Sequence, residues 1–329
     1  MQDRHTRGSP ALVDRPMTRR LPLALALVLG VSAVHATEPS ASHQPSATQV
    51  VEQVEQWRAD RIKRLTAPDG WLSLIGLEWL HEGANRVGAA ADNDIVLKAG
   101  PDHLGVATLA ADGTVRFTAT PGSGAVIDGK PASDAVLVDD MHAGKAGPTT
   151  VHFGSASFYV IDREGRKGLR VKDPEAETRR HFLGIDYFPI NPSWRIVADW
   201  VPFHPVHTLE IGTAIGTIDK VEVPGKAVFH HGGRTFELLP YQEEPGGELF
   251  FVMADRTSGK ETYGAARFLY AALPAGGLDK PGAVVLDFNR AYNPPCAFTP
   301  FATCPLAPPE NRLDIAVTAG EKKYAGGHH

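Results

Sequence analysis

A mainly β fold, built from two antiparallel β units with one short helix near the start, is what this sequence predicts. Three observations lead there. At 329 residues the chain exceeds the usual size of a single domain, so two packed cores are expected. It carries 33 Gly and 26 Pro against 8% aromatics, a turn-rich balance that favours many short strands over long helices. Turn signals recur about every ten residues, and no helical spacer of the length a parallel βαβ unit requires lies between them.

Taken in order, residues 1–36 read as a start extension and a signal peptide. "MTRR" from Met17 supplies a basic segment, Leu21 to Val34 an apolar core, and "VHA" a cleavage site ending at Ala36. That core is shorter than the ~20 residues a membrane-spanning helix needs, so no stable membrane anchor is expected after cleavage. The expected location is periplasmic or secreted. Residues 37–48, polar with Pro and Ser, form a flexible leader. The net charge is −5, and five basic but only two acidic residues leave with 1–36. The remaining chain is acidic and has no basic stripe, which excludes nucleic acid and anionic membranes as natural partners.

The first body, residues 49–175, opens with a helix. In "QVVEQVEQWRADRIKRL", Val51, Val54, Ile62 and Leu65 make an approximate 3.6-residue stripe, and the helix is expected to lie on the first β unit. Short apolar segments then alternate with "ADND", "AGPD", "ADG" and "PGSG". "NRVGAAADNDIVLKAGPDHLG" resembles the forkhead-associated sandwich, and that resemblance implies a sandwich shape here. It does not carry over phosphopeptide binding: Ala89 follows Gly88 and Asp102 precedes His103, where that family has its phosphate-gripping arginine and serine. Trp71 and Trp79 read as packing residues.

The second body, residues 176–329, begins with a proline-bearing connector and continues with seven strand candidates, expected to form a sandwich or partial barrel. His230 and His231 precede two glycines and read as turn residues. The polar clusters fall at strand ends, where a rigid sheet can present side chains to a pocket. "DRTSGKETYGAARF" from Asp255, "DFNRAYNPPCAF" from Asp287, "CPLAPPENRL" from Cys304 and "AGEK" from Ala319 follow one another in that order. Together they resemble the signature of the domain of unknown function 1684 family, over roughly Trp57 to Tyr324. "GAAR" departs from the glycine expected before the arginine. The family implies no particular reaction or ligand.

Asp255, Glu261 and Asp287 are the candidate catalytic residues, as a general acid/base pair or an oxygen-rich metal site. The competing reading gives them turn caps and a Glu261–Arg267 cross-strand pair. Arg267 would anchor an acidic group through its bidentate donors, with Thr262, Tyr263, Asn289, Tyr292, Asn293, Asn311 and Glu321 as further ligand-binding candidates. Cys296 and Cys304, the only cysteines, are expected to form a disulfide in an oxidising compartment. A nucleophilic thiol or a zinc site is the alternative, and the spacing is a weak match to zinc. No cofactor is identifiable. The reading that results is an exported protein that binds a small acidic ligand in a polar pocket of the second body, with hydrolysis as an extension. Its rival is a non-catalytic envelope module that docks a protein partner through the first body.

Overall fold

The computed structural model describes residues 45–327; the expected signal peptide and most of the leader lie outside the described residues. The first element is α1 (Ala47–Leu65), with a capping box in which Ser46 and Gln49 satisfy each other's backbone N–H groups. Eleven strands follow: β1 (Leu74–Trp79), β2 (Gly83–Gly88), β3 (Ile95–Val96), β4 (Gly105–Leu109), β5 (Val115–Ala119), β6 (Val126–Ile127), β7 (Lys130–Pro131), β8 (Asp134–Leu137), β9 (Thr150–Phe153), β10 (Ala156–Arg163) and β11 (Arg166–Lys172). They form a six-stranded sheet, β1-β11-β10-β9-β6-β7, and a five-stranded sheet, β3-β2-β4-β5-β8. Alternation makes the sandwich: in β5, Val115, Phe117 and Ala119 turn inward while Arg116 and Thr118 face solvent. Phe117 meets Phe158 edge-on at 5.5 Å, and Phe153 completes the aromatic centre of the core. Every pairing is antiparallel except β2 with β3.

A short helix, α2 (Glu177–Arg180), leads to the C-terminal body. There β12 (Arg195–Gly212), β13 (Ile218–His231), β14 (Arg234–Leu238) and β17 (Gly282–Asp287) form an antiparallel sheet in the order β14-β13-β12-β17. A separate hairpin of β15 (Leu249–Met253) and β16 (Arg267–Ala271) packs on it. The two segments expected as separate strands, around Trp194 and His207, are one 18-residue strand. It runs on through a register irregularity between Pro202 and His207. Among the described residues no sheet closes into a barrel.

The hairpin explains the continuous apolar runs "LFFVM" and "RFLYA". One face of β15 and β16 joins the core of Trp200, Phe229 and Phe288, and the other packs under the loop holding Ala302 and Cys304. A strand covered on both faces has no need of alternation. His231 is not a solvated turn residue; its ring stacks on Trp194 at 4.1 Å.

Helix α1 departs from expectation twice. Its buried face is Val50, Val54, Arg61 and Leu65, while Ile62 is 37% exposed. It also seats on the C-terminal body rather than on the first sandwich: Arg58 donates to the Phe188 carbonyl, and Arg61 reaches Glu321 and Asn293. Apolar residues alone mis-centre the stripe, because the centre of the docked face is a charged side chain whose partner lies 260 residues away. No helix among the described residues is long and apolar enough to cross a membrane.

Candidate functional site

The residues singled out by sequence fall into three places. The first is a sealed ion pair. Arg267 on β16 donates through Nη2 to Asp255 at 2.7 Å and to the Val317 carbonyl at 3.0 Å, and through Nη1 to the Ala319 carbonyl. The side chains are 1% and 0% exposed. Burial draws the Arg267 guanidinium below its ordinary pKa, and the Asp255 charge opposes that shift. The other Asp255 oxygen accepts from the N–H and hydroxyl of Thr257, whose hydroxyl meets that of Thr262 at 2.8 Å. Glu261 is exposed beside this network; its carbonyl, not its carboxylate, is engaged, by the Lys323 N–H.

The second place is a set of buried amides and carboxylates that bind backbone to backbone. Asp287 caps a turn by accepting from the N–H and side chain of Asn289, and Asn289 exchanges hydrogen bonds with both backbone groups of Asn191. Asn311 donates to the carbonyls of Leu239 and Val252 and accepts from the Leu239 N–H. Glu321 accepts from Arg61 at 3.0 Å and from the Asn293 N–H at 2.8 Å. Gly320 makes this approach feasible: at its φ of +81°, a Cβ would lie 2.3 Å from the Ala291 carbonyl oxygen. "AGEK" therefore supplies an acceptor for Arg267, a close backbone contact and a carboxylate for the helix, in three successive residues. These groups hold the fold together and do not line an open pocket.

The third place is open. A cleft of about 960 Å³ lies between α1, the outer face of β10 and β11, and the β15–β16 hairpin. Its aromatic surfaces are Trp57, Trp71, Tyr159, Phe268, Tyr270 and Tyr292, and of the residues expected at the site Tyr292 is the one that lines it. Tyr292 lies parallel to Tyr270 at 6.3 Å, and Arg61 sits over its ring at 4.6 Å. Tyr159 and Lys172 reach the cleft because they occupy outward positions on strands whose alternate residues, Phe158 and Val171, fill the sandwich core.

The cleft carries charge of both signs. Arg61, Arg64, Lys172 and Arg290 line it, as do Asp69, Glu243 and Glu248. Lys172 donates to the Asp69 carbonyl at 2.7 Å, and burial pulls its ammonium below the ordinary lysine pKa. Arg290 is held loosely: its Nε lies 3.4 Å from Asp287 and makes no hydrogen bond. Glu243 accepts from the Tyr270 hydroxyl. Burial, the first cause, pushes the phenols of Tyr270 and Tyr292 well above their ordinary pKa, so both are hydroxyl donors at neutral pH.

Beside this cleft the cysteines are free thiols, and the expected disulfide is not formed in this structure. The chain does bend back on itself: the N–H of Cys296 points at the Cys304 sulfur (3.1 Å) and that of Cys304 at the Cys296 sulfur (3.4 Å). In the first sandwich, Asp139, His142 and Asp162 gather at metal-ligand spacing, but Lys167 Nζ sits among them, 2.6 and 2.7 Å from the two aspartates. The cluster already contains its cation.

Fold and site define a mainly β protein whose C-terminal body is tied together by buried charged and amide side chains and flanked by an aromatic, charged cleft. Residues 180–322 match the family described as "Protein of unknown function (DUF1684)". A solution NMR structure of an uncharacterized protein from Haloarcula marismortui is similar at 28% identity, covering 44% of this chain and 78% of that one, with a TM-score of 0.37. Among curated proteins there is no match.

The cleft residues that sequence reasoning missed left faint signals. Arg61 sits at helical spacing from Val54 and Leu65, and Tyr159 and Lys172 alternate with the apolar core residues Phe158 and Val171 of their strands.

Proposed function

We propose that this is an exported protein that binds a small ring-bearing acid in the cleft between α1, the first sandwich and the β15–β16 hairpin. One observation carries the reading. A roomy, water-accessible cleft presents several aromatic faces together with Lys172 and the loosely held Arg290. Aromatic faces suit a planar or sugar ring, and a half-buried ammonium and guanidinium suit a carboxylate or phosphate. Glu243 and Glu248, which also line the cleft, would accept from a hydroxyl or amino group on the same ligand. Binding is favoured over hydrolysis because Asp255 is sealed against Arg267 and Glu261 is exposed away from the cleft, so neither is placed to activate a water there.

Calorimetric titration with phenylalanine, phenylacetate and phenethylamine tests this. The two compounds that keep the carboxylate are expected to bind, and Lys172→Met or Arg290→Met to weaken them about ten-fold or more, the scale of one lost charge-assisted hydrogen bond. Equal binding of phenethylamine, or indifference to both substitutions, would overturn the reading.

One observation favours a second reading, that of a partner-docking envelope module: Val136 on the edge strand β8 of the first sandwich, and Val138 and Met141 in the segment that follows it, are exposed, Met141 by 67%. Charge substitutions there would abolish co-purification of a partner, and unaltered co-purification would count against it.

A further inference from the structure

We propose that Cys296 and Cys304 are a reversible dithiol/disulfide couple that undergoes thiol–disulfide exchange with a small disulfide, with Cys296 as the attacking thiolate and Arg170 as its counter-ion. Each cysteine N–H is directed at the other sulfur, so the loop already brings the two sulfurs face to face. The pair is asymmetric in access: Cys304 is 7% exposed, while Cys296 is half-buried and follows Pro295 on the cleft wall.

Arg170 is the second observation. It is 2% exposed, donates only weakly to the Thr303 hydroxyl at 3.3 Å, leaves its Nε without a partner, and has no ion pair among the described residues. A buried guanidinium without a carboxylate is costly; this one faces the Trp71 ring at 5.5 Å and reaches Thr303, the residue before Cys304. The Cys304 hydrogen bond first, and the Arg170 charge after it, draw the Cys296 thiol below its ordinary pKa, while the same bond and burial push Cys304 up. The remaining titratable group facing the pair is Tyr263, whose hydroxyl donates to the Cys296 carbonyl at 3.3 Å and whose pKa burial raises, so it stays neutral.

The exchange balances without any other reactant. Cys296 thiolate attacks one sulfur of the small disulfide, its S–S bond breaks, and one thiolate leaves. Cys304 then gives its proton to solvent and attacks the Cys296 sulfur of the mixed disulfide, closing the internal S–S bond and releasing the second thiolate. Two protein thiols are oxidised and one disulfide is reduced to two thiols.

The location gives the couple a consequence. Thr303 accepts from Arg163 and Arg170 of the first sandwich, and the Cys304 carbonyl accepts from Ala214 at the tip of the β12–β13 ribbon. Oxidation would therefore close a ring in the loop that joins the two bodies beside the cleft.

The test uses the whole chain in glutathione buffers of varied ratio. The wild type is expected to lose both titratable thiols without keeping an adduct, and to regain them in excess reduced glutathione. Cys304→Ser should trap a glutathione adduct on Cys296, whereas Cys296→Ser should leave Cys304 unmodified in the folded protein. Arg170→Met should slow alkylation of Cys296 by iodoacetamide at pH 7 by about ten-fold, a rise of one pKa unit, and Arg170→Lys should restore most of the rate. Circular dichroism of each variant separates these results from misfolding. Two thiols that persist in oxidised glutathione, a disulfide that excess reduced glutathione never opens, or an adduct trapped by Cys296→Ser instead would each overturn the proposal.

Discussion

The Asp255–Arg267 pair shows how residue type and residue role can diverge. "DRTSGKETYGAARF" places an aspartate and an arginine at the two ends of a turn, and that spacing suits a ligand clamp as well as a structural tie. What separates the two readings is burial. Both side chains are almost fully enclosed, and the guanidinium is spent on two carbonyls as well as the carboxylate. Removing one partner leaves an uncompensated buried charge, so Asp255→Ala is expected to cost about 3–5 kcal/mol in urea denaturation. A double change, Asp255→Leu with Arg267→Met, should recover only part of this, since the Val317 and Ala319 carbonyls lose their donors at about 1–3 kcal/mol each. A stability within about 0.5 kcal/mol of wild type for Asp255→Ala, the range of an ordinary surface change, would refute the structural role. The residue types were legible in the sequence. Their enclosure was not, because it is produced by Val317 and Ala319 far along the chain.

At the scale of elements, most strands could be read from turn spacing, since Gly, Pro and Asp punctuate them locally. Helix α1 could be read as a helix but not placed. Its docking rests on Arg61, which counts as polar in any apolar pattern yet is the residue most committed to the interface, holding Glu321 and the Asn293 carbonyl and lying over the Tyr292 ring. Glu321→Gln keeps the shape of the acceptor but removes its charge and leaves Arg61 buried without an anion. Hydrogen exchange of the α1 amides should then quicken by at least ten-fold while β10 and β11 in the first sandwich stay protected. Unchanged exchange in α1 would mean that Val50, Val54 and Leu65 alone hold the helix.

For the molecule as a whole, the mainly β plan was legible because composition and turn rhythm are global properties. The cleft was not, because it draws on a helix, a sandwich face and a hairpin that no local window joins. Acid stability is the matching global measurement. Burial pushes the Asp139 carboxyl upward, but hydrogen bonds from Lys167 and His142 outweigh it and hold the pKa down to about 2. A carboxyl depressed from its unfolded value of about 4 gives stability that is complete above that pH and fades as pH falls toward 2. The urea midpoint should therefore drop across this window, and Asp139→Asn should flatten that limb; a variant with the full wild-type slope would show that other carboxylates govern it.

The 260-residue span from Arg61 to Glu321 also bears on the order of events in synthesis. The helix is among the first of the described elements to leave the ribosome, yet its carboxylate partner is made 260 residues later. Until then Arg61 lacks that anion, so the helix must wait undocked while the strands between are completed. Docking of that helix would then report that the segment around Glu321 has been made and has folded.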